Sequence, residues 1–277
     1  MRRMIALLAA AAALSVGLSQ FAAAADMPAK APVYKAAPAA VAYNWTGLYV
    51  GGYVGGAWAS RDVTSSEPAY AIGPVAWNVT FFDNVYGLGS SVIAGGTVGY
   101  NWQAPDSQWV FGAEAEVGYL HLKKTVVDIN AALQGRPANG SDTTRLGDFY
   151  GVIAGRIGYN WNRLLIYAKG GVAFVGKHYD FTDSCAILAC GINTLFIVRN
   201  KTDWTWAAGG GLEYGFGDSW SIKGEYLYLA TQETTTVSGV ASNGFTFSVV
   251  HSDPGVHIAK LGINYRFGSV SPVGTGY

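Results

Sequence analysis

Gly255-Val-His-Ile-Ala-Lys-Leu-Gly-Ile-Asn-Tyr-Arg-Phe267 is the stretch that decides the fold. One alternating set runs Ala259, Leu261, Ile263, Tyr265, Phe267, and the other runs Lys260, Gly262, Asn264, Arg266. Successive side chains of a strand point to opposite faces, so this period of two separates an apolar, aromatic-ended face from a cationic or small one. That division suits a strand with lipid outside and a packed polar interior inside. The rest of the chain must then supply the partners that close it into a barrel.

Seven earlier segments carry a related pattern. Trp45 to Ala59 alternates aromatics, Val and Gly, with Leu48, Val50, Val54 and Trp58 on one face, Tyr49 and Tyr53 on the other, and no clear choice of inside. Val92 to Trp102 and Trp109 to His121 follow, the second setting Trp109, Phe111, Val117 and Tyr119 opposite Glu114 and Glu116. Phe149 to Trp161 sets Ile153, Ile157, Tyr159 and Trp161 opposite Arg156, and Leu164 to Gly176 sets Ile166, Val172 and Phe174 opposite Lys169. Asp203 to Phe216 opposes Trp204, Trp206, Leu212 and Tyr214 to Glu213; Trp220 to Ala230 opposes Ile222, Tyr226 and Tyr228 to Lys223 and Glu225.

The connections alternate in length. Pro105-Asp106-Ser107, Asn162-Arg163 and Gly217-Asp218 are tight turns, whereas 60–91, 122–148, 177–202 and 231–254 are long. Short periplasmic turns and long external loops are the habit of outer-membrane barrels, and an even strand count returns both termini to the periplasm. Aromatics at the strand ends supply two interfacial girdles. A soluble β-sandwich would also alternate, but would less readily separate large side chains from charges in this way. The expected fold is therefore all-β, an eight-stranded antiparallel transmembrane β-barrel spanning 44–268.

Composition agrees. Charged residues make up 13% of the 277-residue chain, aromatics 14%, and there are nine Trp and seventeen Tyr, residues at home where an apolar ring meets a wet headgroup. A formal net charge of zero offers nothing to nucleic acid. Arg2 and Arg3, the uncharged run to Ala25 and its small-residue end read as a secretory signal over 1–25. Residues 26–43, with Pro28, Pro32 and Pro38, read as a stiff periplasmic linker, and 269–277 as a C-terminal tail. The expected location is the outer membrane of a Gram-negative cell after cleavage of the signal.

Eight strands leave an interior just wide enough to be filled by side chains. The inward candidates are Glu114, Glu116, Glu213 and Glu225 against Arg156, Lys169, Lys223, Lys260 and Arg266. Unpaired charges in so dry a space are costly, so pairing is expected, with Arg266 helping to neutralise the carboxylates. A paired interior is a plug rather than a channel. Inward glycines (Gly112, Gly118, Gly158, Gly262) leave room for the long side chains. Cys185 and Cys190, five apart in an oxidising compartment, are read as a disulfide. No catalytic, cofactor-binding or metal-ligating set emerges. His251-Ser252-Asp253 invites a hydrolase reading, but neighbouring strand positions face apart. Phe81, Phe82, Phe196 and Phe245 are loop aromatics for a host or surface ligand, or for loop packing.

Asn44-Trp-Thr-Gly-Leu-Tyr-Val-Gly-Gly52, the repeated Gly-Tyr-Asn-Trp and the closing Leu-Gly-Ile-Asn-Tyr-Arg-Phe267 resemble the small outer-membrane proteins of alphaproteobacteria, within the OmpA/opacity-like barrels. The resemblance implies a structural surface protein serving envelope integrity and host contact, with a small-solute porin or haemin-binding protein as the alternative and a lipid A-modifying enzyme last. It implies outer-membrane lipids and the barrel-assembly machinery as partners, with Leu261, Ile263, Tyr265 and Phe267 as the assembly signal. It leaves the oligomeric state open. The residues after Phe267 depart from the family pattern, in which the final aromatic ends the chain.

Overall fold

The computed structural model describes residues 43–67, 83–128, 140–185, 193–240, 242, 244 and 246–268. The proposed signal, almost all of the linker, the tail, Phe81, Phe82, Phe245 and the Cys185–Cys190 pairing lie outside what is described. The described strands are β1 (Gly47–Ala59), β2 (Val63–Ser66), β3 (Asn84–Tyr86), β4 (Ser90–Gln103), β5 (Trp109–Tyr119), β6 (His121–Val127), β7 (Ser141–Trp161), β8 (Leu164–Cys185), β9 (Asn193–Phe216), β10 (Trp220–Leu229), β11 (Thr234–Val240), β12 (Thr246–Ser252) and β13 (Val256–Arg266).

Eight of these pair antiparallel in the order β1-β4-β5-β7-β8-β9-β10-β13, and β13 pairs back onto β1, so the sheet closes on itself. The closing register runs from Tyr49↔Arg266 to Ala59↔Val256. The three short turns each hold one residue in the left-handed region, Asp106 (φ 59°), Asn162 (φ 57°) and Gly217 (φ 73°), residue types that tolerate it.

Leu48, Val50, Val54 and Trp58 are exposed while Tyr49, Tyr53 and Ala57 are buried, which decides the faces of β1. The same alternation puts Ile153, Ile157, Val172, Leu212, Ile222, Leu261 and Ile263 outside. Trp102, Trp109, Trp161, Phe216, Trp220 and Phe267 ring the end with the short turns, and Trp58, Phe149, Trp204, Trp206 and Tyr226 ring the other. β5 runs ten residue steps, ~33 Å along the strand; at a tilt of ~40° this stands ~25 Å tall, the height of a lipid-facing band.

The long connections are more ordered than their sequences suggest. β7, β8 and β9 continue well past the upper aromatics, through much of the stretches read above as loops. Pairing persists there because alternate side chains find a second apolar core of Tyr179, Phe181, Ile197, Val237 and Val249. A register shift between Leu146 and Tyr150, with Gly147 at φ 117° and Asp148 at φ 70°, marks where β7 leaves the β5 pairing and takes up β6. The first and last long connections pair with each other: β11-β12-β2-β3 forms a four-stranded sheet in which His251 lies opposite Ser65. We call these extensions and this sheet the cap.

Gly118 faces the lumen, where a Cβ would lie 2.4 Å from the Tyr53 hydroxyl and 2.9 Å from the Ala94 carbonyl; Gly155 faces lipid with nothing within 4 Å. Gly118→Val should lower folding stability by about 1–3 kcal/mol, the usual cost of overpacking, read as a smaller heat-modifiable folded fraction after refolding in detergent. Gly155→Val should leave that fraction unchanged.

Candidate functional site

The barrel interior is where the chain concentrates its chemistry, and it is filled at successive heights. At the periplasmic end Trp45 is buried against Val110, Leu165 and Tyr167, with Tyr43 beside it. The Trp45 indole donates to Asn160 Oδ1 (3.1 Å), and its backbone N–H donates to Gln103 Oε1 (2.9 Å). Arg266 and Arg163 lie over the Tyr43 ring, their guanidinium carbons 4.6 and 5.6 Å from its centroid. An aromatic pair carried in from the N-terminal side thus covers the lower end of the lumen.

Above the floor stand the charged residues. β5 brings Glu114 and Glu116, β7 Arg156, β8 Lys169, β9 Glu213, β10 Lys223 and Glu225, and β13 Lys260; all eight are buried. Period two explains the convergence, because each is an inward position of its strand and the registers bring them to similar heights. Lys169 Nζ lies 2.8 Å from Glu114, 2.9 Å from Glu116 and 2.7 Å from Glu225. Lys260 bridges Glu116 (2.6 Å) and Glu225 (2.9 Å), and Lys223 reaches Glu114 (3.0 Å). Arg156 pairs with Glu213 at 2.8 Å and stands 3.6 Å from Glu114. Hydroxyls add to three of the carboxylate shells: Tyr49 donates to Glu114 (2.7 Å), Tyr167 to Glu225 (2.7 Å) and Ser221 to Glu213 (2.6 Å).

Glu114, Glu116 and Glu225 place oxygens within 4.8 Å of one another, close enough to hold a metal ion. They converge on the Lys169 ammonium, which takes the place a cation would have. Arg266 departs from expectation: it is buried but donates to the backbone carbonyls of Asn44 and Asp218, not to an interior carboxylate. The reason is its height. Arg266 is the last residue of β13 and lies opposite Tyr49, so its guanidinium reaches the rim. Four cations therefore meet the four carboxylates, and Arg266 belongs to the floor.

The next level was missed in the sequence. Ala57, Ile93, Val152, Ala154, Ala173, Ala207, Leu227, Leu229, Val256 and Ile258 fill the upper lumen as one apolar cluster with Tyr53 and Tyr150. The signal was present: inward positions of β10 read Ser221, Lys223, Glu225, Leu227, Leu229 from floor to top, and those of β13 read Arg266, Asn264, Gly262, Lys260, Ile258, Val256. Attention to charge alone hid this gradient.

Beyond the aromatic ring the cap holds a second polar cluster. Lys177 pairs with Asp203 (2.7 Å) and Asp253 (2.8 Å), and Tyr179 donates to Asp253 (2.5 Å). Burial alone would push the Asp203 carboxyl up, but hydrogen bonds from the Lys177 and Lys201 ammoniums hold it at about 2, below its ordinary 3.8. His251 Nε2 lies 3.0 Å from Asp142 and 3.5 Å from the Ser65 hydroxyl. This trio is not a nucleophilic relay. Such a relay puts Ser and Asp on different ring nitrogens, whereas here both approach Nε2 while Nδ1 is buried without a hydrogen-bond partner among the described residues. Ser252 faces away from His251 and accepts from Arg61 (3.1 Å), so the tripeptide does not converge either. Of the residues expected to form an assembly signal, Leu261, Ile263 and Phe267 are exposed on the lipid face, and Tyr265 packs between Trp220 and Phe267 with ring centroids 5.0 Å from each. Phe196 is exposed on the cap.

Comparison with known proteins finds the outer membrane protein beta-barrel domain matching residues 7–267. The 31 kDa outer-membrane immunogenic protein of Brucella melitensis is 30% identical over 254 residues, covering 88% of this chain and 92% of the relative. The 22 kDa outer membrane protein of Rhizobium leguminosarum bv. viciae is 27% identical over 235 residues, covering 83% and 82%. The solid-state NMR structure of outer membrane protein AlkL in lipid bilayers superposes with a TM-score of 0.44 at 18% identity, covering 90% of this chain and 99% of that one.

Two outcomes are expected of the interior and cap. Lys169→Met leaves three buried carboxylates short of a partner and should cost about 3–5 kcal/mol, measured by urea unfolding in lipid micelles. Because the folded carboxyl of Asp203 lies below its ordinary 3.8, its pairing contributes above about pH 4 and is lost as pH falls toward about 2. Pepsin cleavage within the cap should rise across that window, and Asp203→Asn should be cleaved readily already at its upper end.

Proposed function

The chain belongs to the outer-membrane β-barrel domain family, and from that premise we propose that it is a structural, non-enzymatic barrel whose interior passes no solute and whose cap makes the contacts at the cell surface. Its place is the outer membrane. In this reading 1–25 is a leader removed on export, 26–43 is a periplasmic tether, and 269–277 is a tail outside the barrel. The lipid-facing row of β13 is what the assembly machinery reads.

One observation carries the proposal: the lumen is occupied in succession by the Trp45 floor, the charged residues around Lys169, and the apolar residues around Leu227 and Ile258. A permeating ion would have to displace a buried ion pair and then cross a hydrocarbon-lined layer, where its desolvation is uncompensated. The immunogenic character in the names of the Brucella relatives supports a surface-exposed cap. A cap anchored through buried ion pairs presents fixed side chains to a partner, which lowers the ordering cost of binding.

Purified, refolded protein in planar lipid bilayers should give no reproducible open steps, and Arg156→Met should remain closed because the apolar layer persists. Stable unitary conductance from the wild-type chain would overturn the sealed-barrel reading and favour a porin.

A further inference from the structure

The outer wall of β6–β9, just above the aromatic ring, carries a cationic ledge. Lys123, Arg145, His178 and Asn200 lie at consecutive register positions across the four strands. Residues directly opposite in an antiparallel pair share a face, and this is the outer face, since Leu122, Leu146, Lys177 and Tyr179 on the alternate positions are buried inside. Arg145, Asp148, Phe149, His178, Asn200 and Thr202 contribute to the lining of a cavity of about 260 Å³.

The ledge is set in place by its neighbours. Asp148, turned outward at the β7 register shift, holds Arg145 (3.0 Å) and His121 (2.9 Å), and Asn200 holds His178 Nδ1 (2.6 Å). Arg145 has one end fixed by Asp148, and its Nε is buried with no hydrogen-bond partner among the described residues, so its outer Nη groups are what it offers to a ligand. Asp180, on the same face as His178, lies one row farther from the membrane. Lys201 also borders the cavity, but its ammonium is engaged by Asp203 and Glu233.

Directly below, Phe149, Phe174 and Trp204 form a continuous aromatic row, with centroids 6.3 and 5.5 Å apart. Phe174 is four residues below His178 and Trp204 four residues below Asn200, which at the usual rise and tilt is ~10 Å of height. Aromatic rows of this kind mark the edge of the hydrocarbon, so the cations stand in the headgroup layer. Lower on the same wall, Ala113, Gly155, Gly170 and Ala208 occupy consecutive register positions on the lipid face. That band of minimal side chains lets a hydrocarbon chain approach the sheet closely.

We propose that Lys123 and Arg145, above Phe149, Phe174 and Trp204, bind the phosphate of an anionic lipid of the outer leaflet, whose acyl chains lie along the β7–β9 wall. The guanidinium fork of Arg145 is the anchor, because it can donate two parallel hydrogen bonds to one phosphate. Lys123 adds charge at the rim. A soluble anion would gain the electrostatic contact but not the apolar wall.

The test uses the full chain in phosphatidylcholine nanodiscs, with bis-phosphorylated lipid A, its dephosphorylated form and inorganic phosphate as separate probes. Bound lipid is read by native mass spectrometry. Wild type should retain bis-phosphorylated lipid A, and inorganic phosphate should not displace it. Lys123→Ala and Arg145→Ala should each weaken retention about fivefold, the effect of one cation near a charged lipid surface. Arg145→Lys should fall between wild type and Arg145→Ala, and Lys124→Ala, on the opposite face of β6, should change nothing. Equal retention of dephosphorylated lipid A, displacement by inorganic phosphate, or an equal loss in Lys124→Ala would overturn the proposal. If Arg145→Ala fails to fold, Lys123→Ala decides, since that side chain is exposed and its removal leaves the sheet intact; wild-type retention in it overturns the site.

Discussion

The pairing of β13 with β1 is the constraint on which everything else rests. In hydrocarbon no water is available to satisfy a backbone N–H or C=O, so a sheet at lipid depth cannot end in an open edge. The chain meets this by returning its last strand to its first, residues 256–266 against 49–59. Closure with so few strands fixes a narrow lumen. A narrow lumen must be packed, and packing sets the inward sequence: Tyr53 reaches across to Tyr150 (2.9 Å) only because Gly95 and Gly118 leave space for its hydroxyl. The outward sequence answers to lipid instead, and the period of two keeps the two demands on separate side chains.

The interior charges follow from that geometry. Buried ion pairs are weak evidence for stability by themselves, because desolvation offsets much of the attraction. Here they form one connected set in which Lys169 touches three carboxylates and Glu114 is approached by three cations. A charge removed from such a set leaves several partners uncompensated. An apolar replacement of the whole set would remove the need for pairing, yet it would also make the lumen as hydrophobic as the lipid face. Then a one-residue slip of a strand would exchange two similar faces at little cost, whereas with charges inside it would turn that strand's one or two ionised side chains into hydrocarbon and strip their partners on the neighbouring strands. Register specificity is what this arrangement supplies.

Much of this was legible in the sequence, and the exceptions have physical reasons. Alternation located the spanning strands, and Asp106, Asn162 and Gly217 marked the tight turns because each adopts the left-handed backbone that its residue type tolerates. The faces of β1 were ambiguous because Tyr49 and Tyr53 are as aromatic as Trp58, and only their hydroxyl partners inside the barrel separate them. Leu227, Leu229, Val256 and Ile258 were overlooked because neither face of those strand ends carries Asp, Glu, Lys or Arg, so contrast in charge between faces fades there. The β2–β12 pairing joins segments more than 180 residues apart, and no local pattern announces it. Arg266 meets backbone carbonyls at the rim rather than the expected carboxylates, since strand alternation gives a face and not a height.

The cap is continuous with the barrel rather than set upon it. The apolar cluster that fills the upper lumen extends through Leu120, Leu122 and Leu146 to Val63 and Tyr86 of the first long connection. Cap residues at that height therefore answer to the same packing constraint as the lumen, and a change of volume at Val63 or Tyr86 is felt at Ile93 and Val256. Asp142, His251, Lys177 and Asp253 then tie the next level across β7, β12, β8 and the β12–β13 connection through buried polar contacts, which tolerate substitution poorly. Freedom begins only above these levels and on the outer wall, where Val127, Val240 and Phe196 are exposed. A barrel with this construction can vary its tips without disturbing the packed lumen beneath, because the two are separated by a layer whose sequence is constrained by burial.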